Sequence, residues 1–231
     1  ACQKGYKELI EKLIKKKANV NAVGDNIKTA LACACERGYV DIVEKLILAG
    51  ANVNAKDSNG KTALIWTCQK GNEDVVEKLI EKGADVNEKD SSGKTALIWS
   101  CERGYKDIVE KLVEEGADVN AEDRSGKTAL LFASEKGHKD VLEKLIEVRA
   151  DLNAKGSNGK RALILACQKG YKKLVSKLIE EGADVNAKDR SCRTVLMFAC
   201  QEGYEDIVEK LIEEGANVNA KDSSGKTALF W

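Results

Sequence analysis

The sequence predicts an all-α repeat protein in which helix-turn-helix units stack side by side and β-turn or hairpin loops join them. The first observation is a constant period of 33 residues. The stretch KDSNGKTAL at 56–64 recurs in related form at 89–97, 122–130, 155–163, 188–196 and 221–229. The second is that the apolar residues of each unit follow helical spacing. The third is that one such unit is too small to bury its own apolar face, so its neighbours must complete the core.

The first half of each unit is predicted from its turn chemistry. The letters DSNG at 57–60 indicate a tight bend, because Asp, Asn and Gly favour turn conformations. Thr62 follows in an N-cap position, where its hydroxyl can accept a hydrogen bond from a backbone amide one turn further on. We therefore predict a first helix over 63–69, ended by Gly71, which can adopt a positive φ.

The second half is predicted from helical periodicity. The apolar pairs in EDVVEKLIE fall on one face of a helix that we predict over 73–81, ended by Gly83. Asp74 and Lys78 stand in the favourable order for an ion pair between positions i and i+4, and later units repeat this pair.

The whole pattern, DxxGxTAL followed by G, DVVxxLI and GADVN, resembles the ankyrin repeat and covers the chain. Family repeats usually carry Thr-Pro-Leu-His, whereas Ala63 and Ile65 replace the Pro and the His here. Tyr follows the first-helix glycine in most units, where the family has His. The resemblance implies an ankyrin solenoid, and we predict one array over 1–231. Its predicted divisions are a partial repeat at 1–23, full repeats at 24–56, 57–89, 90–122, 123–155, 156–188 and 189–221, and a partial repeat at 222–231.

Charge and cysteine usage narrow the class of protein. The chain carries 38 basic and 38 acidic residues. It has no run of about 20 apolar residues, which is the length that a helix needs to span a bilayer. We therefore expect neither nucleic acid nor membrane as a partner. Six of the eight cysteines occupy one column of the repeat: Cys2, Cys35, Cys68, Cys101, Cys167 and Cys200.

Equivalent helices of stacked repeats lie roughly 8–10 Å apart. This spacing is too wide for a disulfide or a shared zinc ion. We expect reduced thiols, no metal or other cofactor, and a reducing, cytoplasmic location. Cys192 replaces a turn glycine and is predicted to be the exposed, reactive thiol.

No motif supplies a catalytic site. The letters GKT at 60–62 lack the earlier glycine of a phosphate-binding loop. His138 is the single histidine and has no orienting partner in the pattern. We assign no catalytic residue and expect a protein that is not an enzyme.

The resemblance implies instead that partners dock on the turn tips and on the concave face formed by the first helices. A turn column is basic in every unit and includes Lys28, Lys61, Lys94, Lys127, Lys160 and Arg193. A helix-end column includes Arg37, Lys70, Arg103 and Lys136. We therefore hypothesise binding of a partner protein with an acidic surface or segment. The alternative is that these side chains only solvate the repeat.

Aromatic residues accompany the lysines, at Trp66, Trp99, Phe132 and Phe198. They are either packing between repeats or anchors for a partner. Departures from the repeat form three further clusters. These clusters are candidate functional sites, because functional sites often break local rules. The clusters are Val148, Arg149, Gly156 and Arg161; then Arg190, Cys192, Arg193 and Met197; and then Val23, Gly24, Asp25 and Ile27. Arg190 joins the candidate binding residues, and the first cluster predicts the softest internal junction.

The runner-up function is a structural one. The chain begins and ends inside a repeat, and neither end offers the polar cap that a helical array needs. The expectation is either a scaffold piece of a longer array or head-to-tail self-association through the incomplete terminal repeats.

Overall fold

The computed structural model describes residues 1–24 and 28–231, and in this part of the chain it contains thirteen α-helices. Asp25 and Ile27 of the third departure cluster lie outside the described residues. The chain divides into two compact units, Ala1–Asp118 and Val119–Trp231. The first unit holds α1 (Lys7–Lys15), α2 (Ala30–Arg37), α3 (Val40–Leu48), α4 (Ala63–Lys70), α5 (Glu73–Glu81), α6 (Ala96–Arg103) and α7 (Lys106–Glu114).

The second unit repeats the arrangement. It holds α8 (Ala129–Lys136), α9 (Lys139–Glu147), α10 (Ala162–Gln168), α11 (Lys172–Glu180), α12 (Val195–Glu202) and α13 (Glu205–Glu213). Short 3₁₀ turns occupy Cys2–Lys4, Ser157–Gly159 and Ala228–Phe230. The bounds predicted for 63–69 and 73–81 agree with α4 and α5 to within one residue.

The core lies between helices of successive repeats. In the first unit α4 packs against α2, α5 and α6, and in the second α10 packs against α8, α11 and α12. Leu64 of α4 and Leu79 of α5 are fully buried, as are their counterparts in the other complete repeats. Because each fully buried Leu contributes roughly 1.5–3 kcal/mol, most of the stabilisation comes from contacts that a single repeat cannot make.

The predicted threonine caps form at four first helices. The hydroxyls of Thr29, Thr62, Thr95 and Thr194 each accept from the backbone amide three residues on. Thr128 has the same extended backbone, but its Oγ1 is buried and makes no hydrogen bond within the described residues. Arg161 occupies the cap position before α10 and provides no side-chain cap for that helix.

The glycines that end the first helices have two reasons to be glycine. Gly71 has a φ of 80°, a region that glycine adopts without steric cost. In addition, a Cβ on Gly71 would lie 2.6 Å from the ring of Tyr105 in the next repeat. Tyr171 covers Gly137 in the same way. The tyrosine that replaces the family's histidine therefore packs directly on the preceding repeat.

Asparagine side chains connect the loops of successive repeats. Asn54 Nδ2 donates to the Gly83 carbonyl at 3.0 Å, and Asn54 Oδ1 accepts from the Asp85 amide at 2.9 Å. Asn186 makes the same two bonds with Gly215 and Asn217 in the second unit. Each amide thus satisfies the carbonyl of a helix-ending glycine, which would otherwise lack a partner.

The prediction that Asp74 and Lys78 form an ion pair within the second helix is wrong, because Lys78 pairs with other acidic residues. Lys78 pairs with Glu81 at 3.4 Å and with Glu44 of the preceding repeat at 3.5 Å, instead of with Asp74. In the second unit, Asp206 pairs with Lys172 of the preceding repeat. The stacking brings neighbouring second helices close enough for these long side chains to reach across, and helical spacing alone does not reveal that.

Candidate functional site

The turn lysines of the first unit lie against the aromatic column. Lys28 Nζ stands 3.6 Å from the centroid of Trp66, and Lys94 Nζ stands 4.2 Å from that of Trp99. Lys61 lies between both rings, with its Nζ 4.4 Å from each centroid. Burial lowers the pKa of Lys61, although Asp90 and Asp57 act in the opposite direction. The lysines and tryptophans therefore form one alternating ladder of cation–π contacts, each worth about 0.5–2 kcal/mol.

A helix residue eight positions later completes each step of the ladder. Lys28 and Lys94 donate to the carboxylates of Glu36 and Glu102, both at 2.6 Å, and Lys61 donates to Gln69 at 2.7 Å. Burial disfavours the charged form of Glu36, but the hydrogen bond and the attraction of Lys28 outweigh it, so the pKa of Glu36 is lowered. Much of the charge of these turn lysines is therefore compensated by contacts within the fold.

The turn aspartates hold the tryptophan rings in place. Trp66 Nε1 donates to Asp57 and Trp99 Nε1 donates to Asp90, each at 2.9 Å. Asp90 also accepts from the amides of Ser92 and Lys94. Although burial opposes ionisation of Asp90, these hydrogen bonds lower its pKa. The rings of Trp66 and Trp99 remain half-buried, so one part of each faces solvent.

The second unit keeps the cations but has smaller, more deeply buried rings. Lys127 Nζ lies 5.1 Å from the centroid of the Phe132 ring, and Arg193 Cζ lies 4.4 Å from the centroid of the Phe198 ring. Phe132 is 6% exposed and Phe198 is 2% exposed, so both rings belong to the core. Lys160 donates to Gln168 at 2.8 Å, as Lys61 does to Gln69 in the first unit.

The helix-end column has a different environment. Arg37, Lys70 and Arg103 in the first unit, and Lys136 in the second, are exposed at the ends of their helices. Within the described residues, no salt bridge involves any of these four side chains. Their charges therefore remain available to an approaching molecule. Arg190 is also exposed.

The buried cysteines are chemically quiet. All eight cysteines are free, and Cys35, Cys68, Cys101 and Cys167 are fully buried. Burial raises the pKa of Cys35, Cys68 and Cys167 to about 12, which keeps these thiols protonated. Cys192 is exposed with a φ of 58°, and its greater reactivity stays a prediction. Over 1–24 and 28–231, no group of His, Cys, Asp and Glu has the arrangement of a metal site.

The sequence pattern predicts the two basic columns and the aromatic column, but it does not predict the contacts between the turn lysines and the aromatic rings. The structure brings the turn column and the tryptophans into one ladder and leaves the helix-end column apart. The partners that sequence reasoning missed are the Glu or Gln residues of the first helices. Their signal was present, since Lys is followed eight residues later by Glu or Gln in five successive repeats, beginning at 28, 61, 94, 127 and 160.

These repeated helix pairs, glycine ends and turn motifs define an ankyrin repeat protein, and the chain belongs to that family. The family profile, described as Ankyrin repeats (3 copies), matches residues 1–57, 41–123, 87–156, 121–189 and 163–231. The crystal structure of the human ASB11 ankyrin repeat domain is similar, with a TM-score of 0.79 and 27% identity. The match covers 87% of this chain and 90% of that one. A comparison with curated proteins finds no match.

The predicted fold class is thereby confirmed. Ankyrin repeats are generally protein–protein interaction modules. No helix in the described ranges is long and apolar enough to cross a membrane.

Proposed function

We propose that this chain binds an acidic segment of a partner protein along the side formed by its first helices and turns, which is the concave face in the family. The binding residues in this proposal are the exposed helix-end cations and the outer parts of the tryptophan ladder. No catalytic role is proposed for any residue.

The observation that carries the proposal is the contrast between the two basic columns. The turn lysines stack on aromatic rings and bond to Glu or Gln, whereas Arg37, Lys70 and Arg103 are exposed and form no salt bridge with any described residue. A column of exposed cations steers and selects a segment of opposite charge. Interface surfaces also favour Arg and Trp, and the exposed parts of Trp66 and Trp99 lie beside these cations in the same repeats.

The aromatic residues contribute unequally to this proposal. Trp66 and Trp99 can lose further solvent exposure on binding and are candidate anchors. Phe132 and Phe198 have almost no surface left to lose, so their role in the proposal is to support the cations above them.

The test uses a short fluorescein-labelled poly-glutamate peptide and a triple variant, Arg37→Gln, Lys70→Gln and Arg103→Gln. We expect the triple variant to bind on the order of tenfold more weakly, since exposed charges contribute about 0.5 kcal/mol each. Binding of the wild-type protein should also weaken as salt rises. The measurement is fluorescence anisotropy at low and high ionic strength.

The control is a second triple variant, Lys15→Gln, Lys16→Gln and Lys82→Gln, which removes three exposed cations from the ends of second helices. It should bind as the wild type does. Equal weakening in both triple variants, or binding that does not change with salt, contradicts the proposal.

A second candidate function is structural, and exposed apolar side chains favour it. Leu229 is 98% exposed and Phe230 is 63% exposed, while Leu9 and Leu13 of α1 are each nearly half exposed. Head-to-tail association of two copies would cover these side chains, as would neighbouring repeats in a longer array.

The eight free thiols support a reducing, intracellular location as part of the proposal. Burial of four of them in the repeat core makes them packing residues, consistent with the behaviour of cysteine as a small apolar side chain.

A further inference from the structure

A cleft of about 620 Å³ in the second unit lies between the turns at 155–161 and 184–190. Four basic side chains line it, those of Lys155, Arg161, Lys188 and Arg190. The acidic residues in its wall are Asp184 and Asp189. Cations therefore outnumber carboxylates by four to two.

The excess of positive charge arises from departures from the repeat. Gly156 stands where the repeat at 57–89 has Asp57, and Arg161 stands in the position of Thr62. Arg190 takes the position of Ser91 in the next turn. The cleft loses one negative charge and gains two positive charges relative to that earlier junction, a change of three.

The replacement of Asp by Gly156 also removes an internal anion. In the first unit, Asp57 Oδ1 accepts from the amides of Asn59 and Lys61, both at 2.9 Å. Gly156 has no side chain to play this part, and the turn changes to the 3₁₀ conformation with Asn158 at a φ of 60°. The junction thus lacks the carboxylate that accepts from turn amides in the repeats that have Asp at this position.

The remaining carboxylates have partners of their own. Asp189 accepts from the guanidinium of Arg193 at 3.0 and 3.1 Å and from two turn amides. Asp184 accepts from the Asn186 amide at 2.9 Å. Among the described residues no salt bridge joins Lys155, Lys188 or Arg190 to an acid.

Arg161 is positioned by the backbone. Its Nε donates to the Asn153 carbonyl at 3.2 Å, which leaves its two terminal nitrogens for a further acceptor. Arg190 is exposed on the other side of the same cleft. Two guanidinium groups flanked by lysines match a tetrahedral oxyanion with a double charge better than a carboxylate, because each fork can make paired hydrogen bonds to it.

We propose that this cleft binds a phosphorylated serine or threonine side chain of a partner protein. The phosphate would take the place of the missing turn carboxylate and bridge Arg161 and Arg190. This inference rests on the proposed function, which makes the partner a protein. It adds that phosphorylation of the partner regulates binding.

The test compares three labelled peptides of the same Gly-Ser sequence, which carry one phosphoserine, one unmodified serine or one aspartate. Binding is measured by anisotropy to the wild type and to Gly156→Asp, Arg161→Thr and Arg190→Ser. Each substitution restores the residue that an equivalent position already holds, so the fold should persist. We expect the phosphopeptide to bind the wild type at least tenfold more tightly than the other peptides and to lose most of this advantage in each variant.

Arg124→Ser is the matched control, since Arg124 is an exposed arginine in the equivalent position of another turn and does not line the cleft. It should bind the phosphopeptide as the wild type does. Phosphopeptide binding no tighter than that of the unmodified peptide, or unchanged in all three cleft variants, overturns the inference. Inorganic phosphate that binds as tightly as the phosphopeptide overturns the assignment to a protein partner.

The two proposals fail separately. The triple variant Arg37→Gln, Lys70→Gln and Arg103→Gln lies outside the second unit and should keep its binding of the phosphopeptide. If the triple variant binds poly-glutamate as tightly as the wild type does, while the wild type still prefers the phosphopeptide, the result contradicts the proposed function alone. If the triple variant binds poly-glutamate more weakly than the wild type does, but the wild type binds the phosphopeptide no more tightly than the unmodified peptide, the result contradicts the cleft alone.

Discussion

At the scale of single residues, identical amino acids in the same column make different contributions. Thr62 Oγ1 caps α4 by accepting from the Ile65 amide at 3.3 Å. Thr128 begins α8 with the same extended backbone, yet its hydroxyl is buried without a partner in the described part of the chain. A buried hydroxyl without a hydrogen bond carries its desolvation cost uncompensated, so one column holds both a stabilising and a destabilising threonine.

We therefore predict opposite results from one isosteric substitution. Thr62→Val should lower the free energy of unfolding by about 1 kcal/mol, because the cap is lost. Thr128→Val should leave it unchanged or raise it, because an unsatisfied polar atom is replaced by a methyl group. Urea unfolding followed by circular dichroism measures both. A loss at Thr128 as large as that at Thr62 contradicts the prediction.

At the scale of the element, the segment from Val148 to Arg161 differs from its counterparts at both of its ends. Arg149 has a φ of 60° at a position that glycine occupies after the other second helices, except after α1, where Lys17 has a φ of 61°. α10 begins at Ala162 without a side-chain cap and is one residue shorter than the other complete first helices. A left-handed conformation costs a residue with a Cβ roughly 1–2 kcal/mol, so this junction combines two local sources of instability.

The prediction for this element concerns amide hydrogen exchange. The amides of the first turn of α10 should exchange faster than those of the first turn of α12, whose cap Thr194 is intact. The double variant Arg149→Gly and Arg161→Thr should restore protection there, and Lys17→Gly, which relieves the same backbone conformation in the first unit, should not. Equal protection of α10 and α12 in the wild type would show that the junction is no softer than its neighbours.

At the scale of the whole molecule, exposed apolar side chains occur in both terminal partial repeats. Leu229 and Phe230 are exposed in the last one, and Leu9 and Leu13 are partly exposed in the first. Repeats of this kind gain much of their stability from contacts with a neighbour, so a second copy that covers these side chains would add stability. A contact between unlike surfaces of two copies gives an open chain unless the rotation between the copies closes a ring.

Static light scattering tests this association. If it occurs, the weight-average mass should rise above 25.1 kDa as protein concentration increases, and Leu229→Ser with Phe230→Ser should abolish the rise. Leu48→Ser, which removes an exposed leucine from α3 outside both terminal repeats, should have no effect. A mass that stays at that of one chain at all concentrations contradicts self-association.

The candidate site could be predicted in part. Arg37, Lys70 and Arg103 follow from the period alone, because equivalent positions of a repeat receive equivalent exposure. The ladder could not be foreseen, since the position of Lys61 between Trp66 and Trp99 depends on the distance and rotation between successive repeats. The same holds for the bonds of Asn54 to residues 29 and 31 positions away.

The sequence by itself determined the local structure, including helix bounds, capping at Thr62 and the left-handed glycines such as Gly71. These features depend on neighbouring residues in the chain and on steric and hydrogen-bonding preferences that each segment carries with it. The tertiary structure alone decided which charges remain available and which are used internally. That outcome depends on side chains from different repeats meeting across a stack, and the energy of such a meeting has no counterpart within one repeat.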